Sequence, residues 1–224
     1  MGLRRQVMFP FFGDGIFTQD GLSWKHSREQ LRPQFAHEQY QDLEIFREAV
    51  DDLIHALPHQ GITDLQPLFL RLTLDTTTAF LFGESIRSLR AYNSTGETTF
   101  ATAFNLAQAF IAKRMRLPEF YWLIGGKRFT EACKDVHRFA DQIIDRTLHN
   151  QKKRNRYVFL DSIAIGTEDR TALRSQIINV LVAGRDTTAY ALSWTLYVFN
   201  DLFTEFTNFC LASCLFVTQR CSRL

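Results

Sequence analysis

The sequence is short of turn formers. Glycine and proline together number 16 of 224 residues, as 11 Gly and 5 Pro, where an ordinary globular chain carries about 12%. An all-β sandwich or barrel needs a turn every few residues and is excluded on that ground. Collagen-like and low-complexity disordered chains are excluded as well. Neither sign of charge prevails, with 26 basic against 24 acidic residues, which offers no footing for nucleic acid and supplies no acidic tail. Cysteine is sparse. The 4 Cys include no C-x-x-C pair, so a disulfide scaffold is unexpected and a reducing compartment is the default. Long apolar runs are lacking too. The basic start, Met1 to Arg5, is followed only by Val7 to Phe12 with Pro10 inside, too short for a signal peptide or an anchor. The run from Leu202 to Val217 is interrupted by Glu205 and Asn208, and Gln6 stands where a myristoylation signal needs Ser or Thr. What remains is an apolar chain, 46% hydrophobic with 21 Phe, long enough for a sizeable core and expected to be mostly α.

Local patterns place the elements. Gly and Pro punctuate residues 9–21, which predicts a loop. Asp20 and Ser23 are candidate caps of a short helix that Pro33 should end. From Glu38 the positions Leu43, Phe46, Val50, Leu53 and Leu57 form one apolar stripe, stopped by Pro58 and Gly61. Asp64 should cap a second helix, apolar over so wide an arc (Leu65 to Phe80) that it is expected to be buried on most sides until Phe82-Gly83 ends it. A polar stretch, Arg90 to Thr99, precedes a helix over Phe100 to Arg114. Pro118 and Gly125-Gly126 separate that helix from a long one carrying Phe129, Cys133, Val136, Ala140, Ile143, Ile144 and Leu148 on its core face. Lys152 to Arg156 reads as a solvated charge run rather than a phosphate patch. A short helix near Tyr157 to Ile165 follows. The last segment, from Asp169 to Asn200 or beyond, has no breaker except Gly184.

Two clusters carry candidate chemistry. Within the last helix, Ala183-Gly184-Arg185-Asp186-Thr187-Thr188 combines small residues that admit a flat ligand to the backbone, a carboxylate, and hydroxyls able to turn from the helix toward a ligand. The bland alternative is a packing glycine with Thr hydroxyls bonded to their own helix. In the first helix, Trp24 and Arg28 are four apart and share a face. An indole N–H beside a guanidinium suits a carboxylate or phosphate, and a surface cation–π pair is the alternative.

Taken together, these clusters, with Leu31-Arg32-Pro33-Gln34-Phe35 after the first, resemble the cytochromes P-450, the haem-thiolate monooxygenases. Trp24 and Arg28 match the W-x-x-x-R of that family's C helix, and Ala183 to Thr188 match its I-helix pattern at every defined position. The segments Gly15-Ile16-Phe17-Thr18 and Asp64-Leu65-Gln66-Pro67-Leu68-Phe69 are similar to the fungal branch that hydroxylates n-alkanes and fatty acids. The resemblance runs over residues 9–199. It implies a partial P-450 fold, helices C to I. It further implies haem b with Trp24 and Arg28 on its propionates, and Ala183, Gly184 and Thr188 beside the groove where oxygen sits. Thr187 would be the oxygen-activating hydroxyl and Asp186 its acidic neighbour. Implied partners are an NADPH-dependent reductase and an apolar substrate, and the complete family member would sit on the cytosolic face of the endoplasmic reticulum membrane. Phe11, Phe12, Phe17 and the stretch from Phe110 to Trp122 suit an apolar substrate channel, with ordinary core packing as the alternative.

The family's β domain and its F-x-x-G-x-x-x-C loop find no counterpart. No Gly or Pro follows Gly184, and no Cys has Gly four residues before it, so no axial Cys and no metal ligand is assigned. E-x-x-R occurs at Glu29-Arg32, Glu44-Arg47 and Glu84-Arg87, which read as surface ion pairs or chance. Residues 200–224 form a divergent Cys- and Phe-rich tail, expected either as an altered reading frame or as a helical extension. The competing expectation for the chain as a whole is an inactive helical remnant without haem-thiolate ligation.

Overall fold

The computed structural model describes residues 2–35, 43–90, 99–150, 158–165 and 169–221, except the side chains of 99, 150 and 201–221. Eight α-helices account for most of it: α1 Leu3–Phe12, α2 Gly21–Leu31, α3 Glu44–Ala56, α4 Leu65–Phe82, α5 Thr99–Arg116, α6 Gly126–Asn150, α7 Phe159–Ala164 and α8 Arg170–Cys221. Short 3-10 turns follow α2 at Arg32–Phe35 and precede α6 at Pro118–Leu123. The described residues contain no strand, as the shortage of turn formers implied. The Lys152–Arg156 run and residues 91–98 of the polar stretch lie outside the described residues.

The helix signals act as their chemistry requires at α4 and α6. Asp20, the cap expected for α2, instead makes no capping hydrogen bond and pairs with Arg4 at 2.5 Å. The Asp64 carboxylate accepts from the Gln66 backbone N–H at 3.1 Å and starts α4. Gly83, at φ +75°, ends it, its N–H donating to Ala79 O. Burial of α4 extends around most of its circumference, from Leu68 to Phe82. In α6 the residues Phe129, Cys133, Val136, Ala140, Ile143 and Ile144 are buried at spacings of three and four, and Leu148 packs partly against them. Of the three E-x-x-R pairs, only Glu44–Arg47 closes an ion pair, at 3.3 Å on the surface of α3. Glu29 instead meets Lys25, and Glu84 meets Arg146.

The loop expected from residue 9 begins four residues later. Helix α1 runs through Pro10 to Phe12 although an interior proline forfeits an N–H and crowds the carbonyl one turn back. The gain exceeds that cost: Phe11 and Phe12 plug into the core with their rings edge-on at 5.0 Å, and Phe11 meets Phe104 at 5.5 Å. Core packing, not a channel, is therefore the role of Phe11 and Phe12, whereas Phe17, Phe120 and Trp122 are exposed. Gly13, at φ +64°, turns the chain out of α1 where a side chain would strike Ser175 of α8.

Two apolar clusters share α4 and α8. The larger joins α1, α5, α6 and α7 to Leu74, Leu81 and Phe82 of α4 and to Leu173, Ile177, Ile178 and Leu181 of α8. The smaller sets Ala49 and Ala56 of α3 against Leu68, Phe69 and Leu72 of α4 and Ala189 of α8. At 52 residues, α8 is about 78 Å long at 1.5 Å per residue. Its backbone stays helical through residues 200–221. No helix among the described residues is long and apolar enough to cross a membrane.

Candidate functional site

Helix α8 changes character at Ala183. From Ser175 to Leu181 it is buried; from Thr187 one side is open, and Tyr190, Trp194, Tyr197 and Phe199 are exposed. Ala183 and Thr187 lie on this open side one turn apart, with the Thr187 hydroxyl donating to Ala183 O at 2.7 Å. Thr188 is exposed beside it. Gly184, about 100° further round α8 than Ala183, turns toward α4. A Cβ there would stand 2.9 Å from Thr77 Oγ1 and 3.0 Å from Thr77 Cγ2 on α4, so its missing side chain lets α4 and α8 close. Both parts of the bland alternative are present, the glycine packed against Thr77 and the Thr187 hydroxyl bonded to its own helix.

Trp24 and Arg28 stand together on the exposed side of α2, the guanidinium 5.4 Å from the indole centroid. Helix α2 is fixed to α8 through buried side chains. Gln176 Nε2 donates to Ser27 Oγ at 2.5 Å, and Ser27 Oγ donates to Gln19 Oε1 at 2.6 Å. At 100° per residue, Gln176, Ala183 and Thr187 fall within about 40° of one another around α8. The Trp24–Arg28 helix and the open strip are thus on one side of α8, Ala183 about 10 Å further along its axis than Gln176. The loop before α2 is seated by Asn179, whose Oδ1 accepts from Phe17 N at 2.8 Å and whose Nδ2 donates to Phe12 O at 3.0 Å.

Asp186 points away from Thr187, and no hydrogen bond joins the two among the described residues. Its Oδ2 accepts from Gln108 Nε2 of α5, and its Oδ1 accepts from Arg185 at 3.1 Å. Arg185 is only 2% exposed. Its guanidinium donates to Gln108 Oε1 at 2.7 Å, to Asn105 Oδ1 and to Leu70 O at 3.3 Å, and lies 5.1 Å from the Phe104 ring centroid. Burial raises the Asp186 carboxyl above the ordinary carboxylate range, opposed by Arg185 and by the Gln108 hydrogen bond. Burial also pulls the Arg185 guanidinium down, opposed by Asp186. Sequence reasoning missed Arg185, Asn105 and Gln108. The available signal was two amides three apart, Asn105 and Gln108, within the apolar stretch from Ala103 to Ala112 of α5.

The residues present fit the propionate edge and one face of a haem. Two donors, Trp24 and Arg28, are exposed for carboxylates, and small Ala183 with the Thr187 hydroxyl borders an open apolar strip. A thiolate is not supplied by Cys133, which is buried between α5 and α6 with its thiol pushed up to about 12 by desolvation. The side chains of Cys210, Cys214 and Cys221 lie outside the described residues. Those residues contain no cluster of His, Cys, Asp and Glu able to hold a metal ion.

Comparison with known proteins agrees with this arrangement. The family model described as Cytochrome P450 matches residues 4–200. A cytochrome P450 of Arthroderma benhamiae is 47% identical over 195 residues, covering 83% of this chain and 39% of the relative. Cytochrome P450 52A4 of Candida maltosa is 43% identical over 212 residues, covering 88% and 39%. Cytochrome P450 monooxygenase g430 of a Fusarium species is 40% identical over 224 residues, covering 89% and 39%. The chain thus spans about two fifths of the length of these relatives. A family model over residues 4–200, with relatives 40–47% identical over most of the chain, places the chain in the cytochrome P450 family.

Proposed function

We propose that the chain forms the helical, oxygen-facing part of a haem monooxygenase that hydroxylates C–H bonds of n-alkanes or fatty acids. One observation carries the proposal: Ala183 and Thr187 border an open strip of α8 on the side where α2 presents Trp24 and Arg28. Family membership and the printed name of the Fusarium relative, a monooxygenase, support the reaction class. The resemblance to the fungal alkane and fatty-acid branch supports the substrate. Electrons would come from an NADPH-dependent reductase.

Haem, when bound, supplies oxygen binding and activation. The chain's own residues bind and orient. The Trp24 indole N–H and the Arg28 guanidinium donate to the propionates, a charge-assisted pairing. Ala183, small and half-buried, leaves room over the strip, and Gly184 contributes backbone alone because α4 occupies its other side. The Thr187 hydroxyl is held by Ala183 O and needs only a χ1 rotation to donate into the strip. Thr188, beside it, lines the same rim. Asp186 keeps a proton more readily than an ordinary carboxylate because it is half-buried, which suits a donor standing behind Thr187.

Haem titrated into the purified chain tests the binding half. Uptake that falls at least tenfold in Trp24→Phe/Arg28→Leu supports it, and uptake indifferent to both changes sinks it. Product analysis of the complete protein with reductase, NADPH and dodecane or lauric acid tests the reaction. Hydroxylated product lost in Thr187→Ala is the expected outcome.

A further inference from the structure

We infer that Gln108 of α5 is a positioning residue for Asp186, its side-chain amide clamping the carboxylate against Arg185 on the α5 side of α8. The inference rests on the proposed role of Asp186 and extends it to a residue outside the sequence pattern.

Neighbours i and i+1 on a helix diverge by about 100° and do not face each other. Arg185 and Asp186 nevertheless meet at 3.1 Å, and Gln108, from another helix, contacts both. The direction of the Gln108 amide is dictated by its partners. Arg185 has donors only, so Oε1 must accept from it, at 2.7 Å, and Nε2 is left to donate to Asp186 Oδ2. A flipped amide would set donor against donor and acceptor against acceptor. Arg185 itself has little freedom, being held also by Asn105, by Leu70 O of α4 and over the Phe104 ring. The clamp therefore has a fixed jaw, Arg185, and one adjustable jaw, Gln108. Charged and titratable groups around it are Arg185 and Tyr190 from α8 and Arg71 from α4, while α5 contributes the neutral Asn105 and Gln108. A proton carried by Asp186 reaches the Thr187 side only if the carboxylate leaves Gln108.

The clamp is tested by NMR on the full chain carrying ¹³C-labelled aspartate, with Asp186 assigned through Asp186→Asn. Three-bond couplings report whether its side chain holds one rotamer, and the carboxyl shift reports its titration. In the unaltered chain a single rotamer is expected. In Gln108→Met the rotamer should average, and the midpoint should rise by about one pH unit, tenfold in proton affinity, because a donor to the ionised form is lost. Gln108→Glu, which still accepts from Arg185 but cannot donate while ionised, guards against a folding defect and should release the rotamer likewise. A fixed rotamer and an unchanged midpoint in Gln108→Met, or a fixed rotamer in Gln108→Glu, would overturn the inference. Neither readout needs haem. A chain that keeps the clamp while the complete protein makes no hydroxylated product would defeat the proposed function and leave the clamp standing.

Discussion

Gln176 of α8 donates to Ser27 of α2 at 2.5 Å, and this buried bond links two helices 149 residues apart in the chain. The Ser27 hydroxyl in turn donates to Gln19 Oε1 at 2.6 Å. Ser27→Ala strands a buried donor on Gln176 and a buried acceptor on Gln19, which should cost about 1–3 kcal/mol. Urea unfolding followed by circular dichroism would show the lower midpoint. An unchanged midpoint would mean that α2 is seated by other contacts.

Gly184 offers a sharper test because two effects oppose. Removing a glycine from a helix gains about 1 kcal/mol, but a methyl at 2.9 Å from Thr77 Oγ1 overpacks the α4–α8 contact, at about 1–3 kcal/mol. Gly184→Ala should therefore destabilise the chain alone and stabilise it in a Thr77→Ala background, where the crowding atoms are gone. A double-mutant cycle reads the change of sign directly.

Asp75 of α4 predicts a pH dependence. Its carboxylate is buried and accepts from the backbone N–H groups of Ser88 at 2.7 Å and Leu89 at 3.0 Å. Desolvation outweighs these bonds and raises its carboxyl above 3.8 in the folded chain. The folded state then holds this proton more tightly than the unfolded one, so the Asp75 contribution to stability falls as pH rises through the window above 3.8. The stability difference between the unaltered chain and Asp75→Asn should accordingly shift in favour of the unaltered chain on acidification, and level off below that window. Denaturant titrations of both across pH 3.5 to 7 on the order of half-unit steps would measure it. A difference independent of pH would contradict the direction.

Cys133 should be inert. Its thiol is 4% exposed and pushed up to about 12, so almost no thiolate exists near neutrality. Iodoacetamide at neutral pH should leave the Cys133 peptide unmodified until urea is added, as read by peptide mass spectrometry. Rapid alkylation in the folded chain would show that α6 opens there.

Much of this fold is legible in the residues themselves. Asp64, Gly83 and the Phe129-to-Ile144 stripe act locally, through a cap, a left-handed turn and a 3.6-residue period, so their sequence signals suffice. The first loop was less legible, because burial of Phe11 and Phe12 is a tertiary gain that outweighs the local signal of Pro10. The same division holds at the site. Trp24 with Arg28, and Ala183 with Thr187, are each four apart on one helix, and spacing alone puts each pair on one face. The surroundings of Arg185 were not readable, since Asn105, Gln108 and Leu70 reach it from helices about 80 and 115 residues away. The need for glycine at 184 likewise comes from Thr77 of α4, a neighbour that only packing reveals.

Helices α4 and α8 each contribute side chains to both apolar clusters, Leu72 and Leu74 of α4 belonging to different ones although they are two residues apart. Melting α4 itself removes Leu68, Phe69 and Leu72 from one cluster and Leu74, Leu81 and Phe82 from the other. The two clusters are thus tied through the same pair of helices, and any event that melts α4 or α8 strips the apolar core of the described bundle on both sides at once.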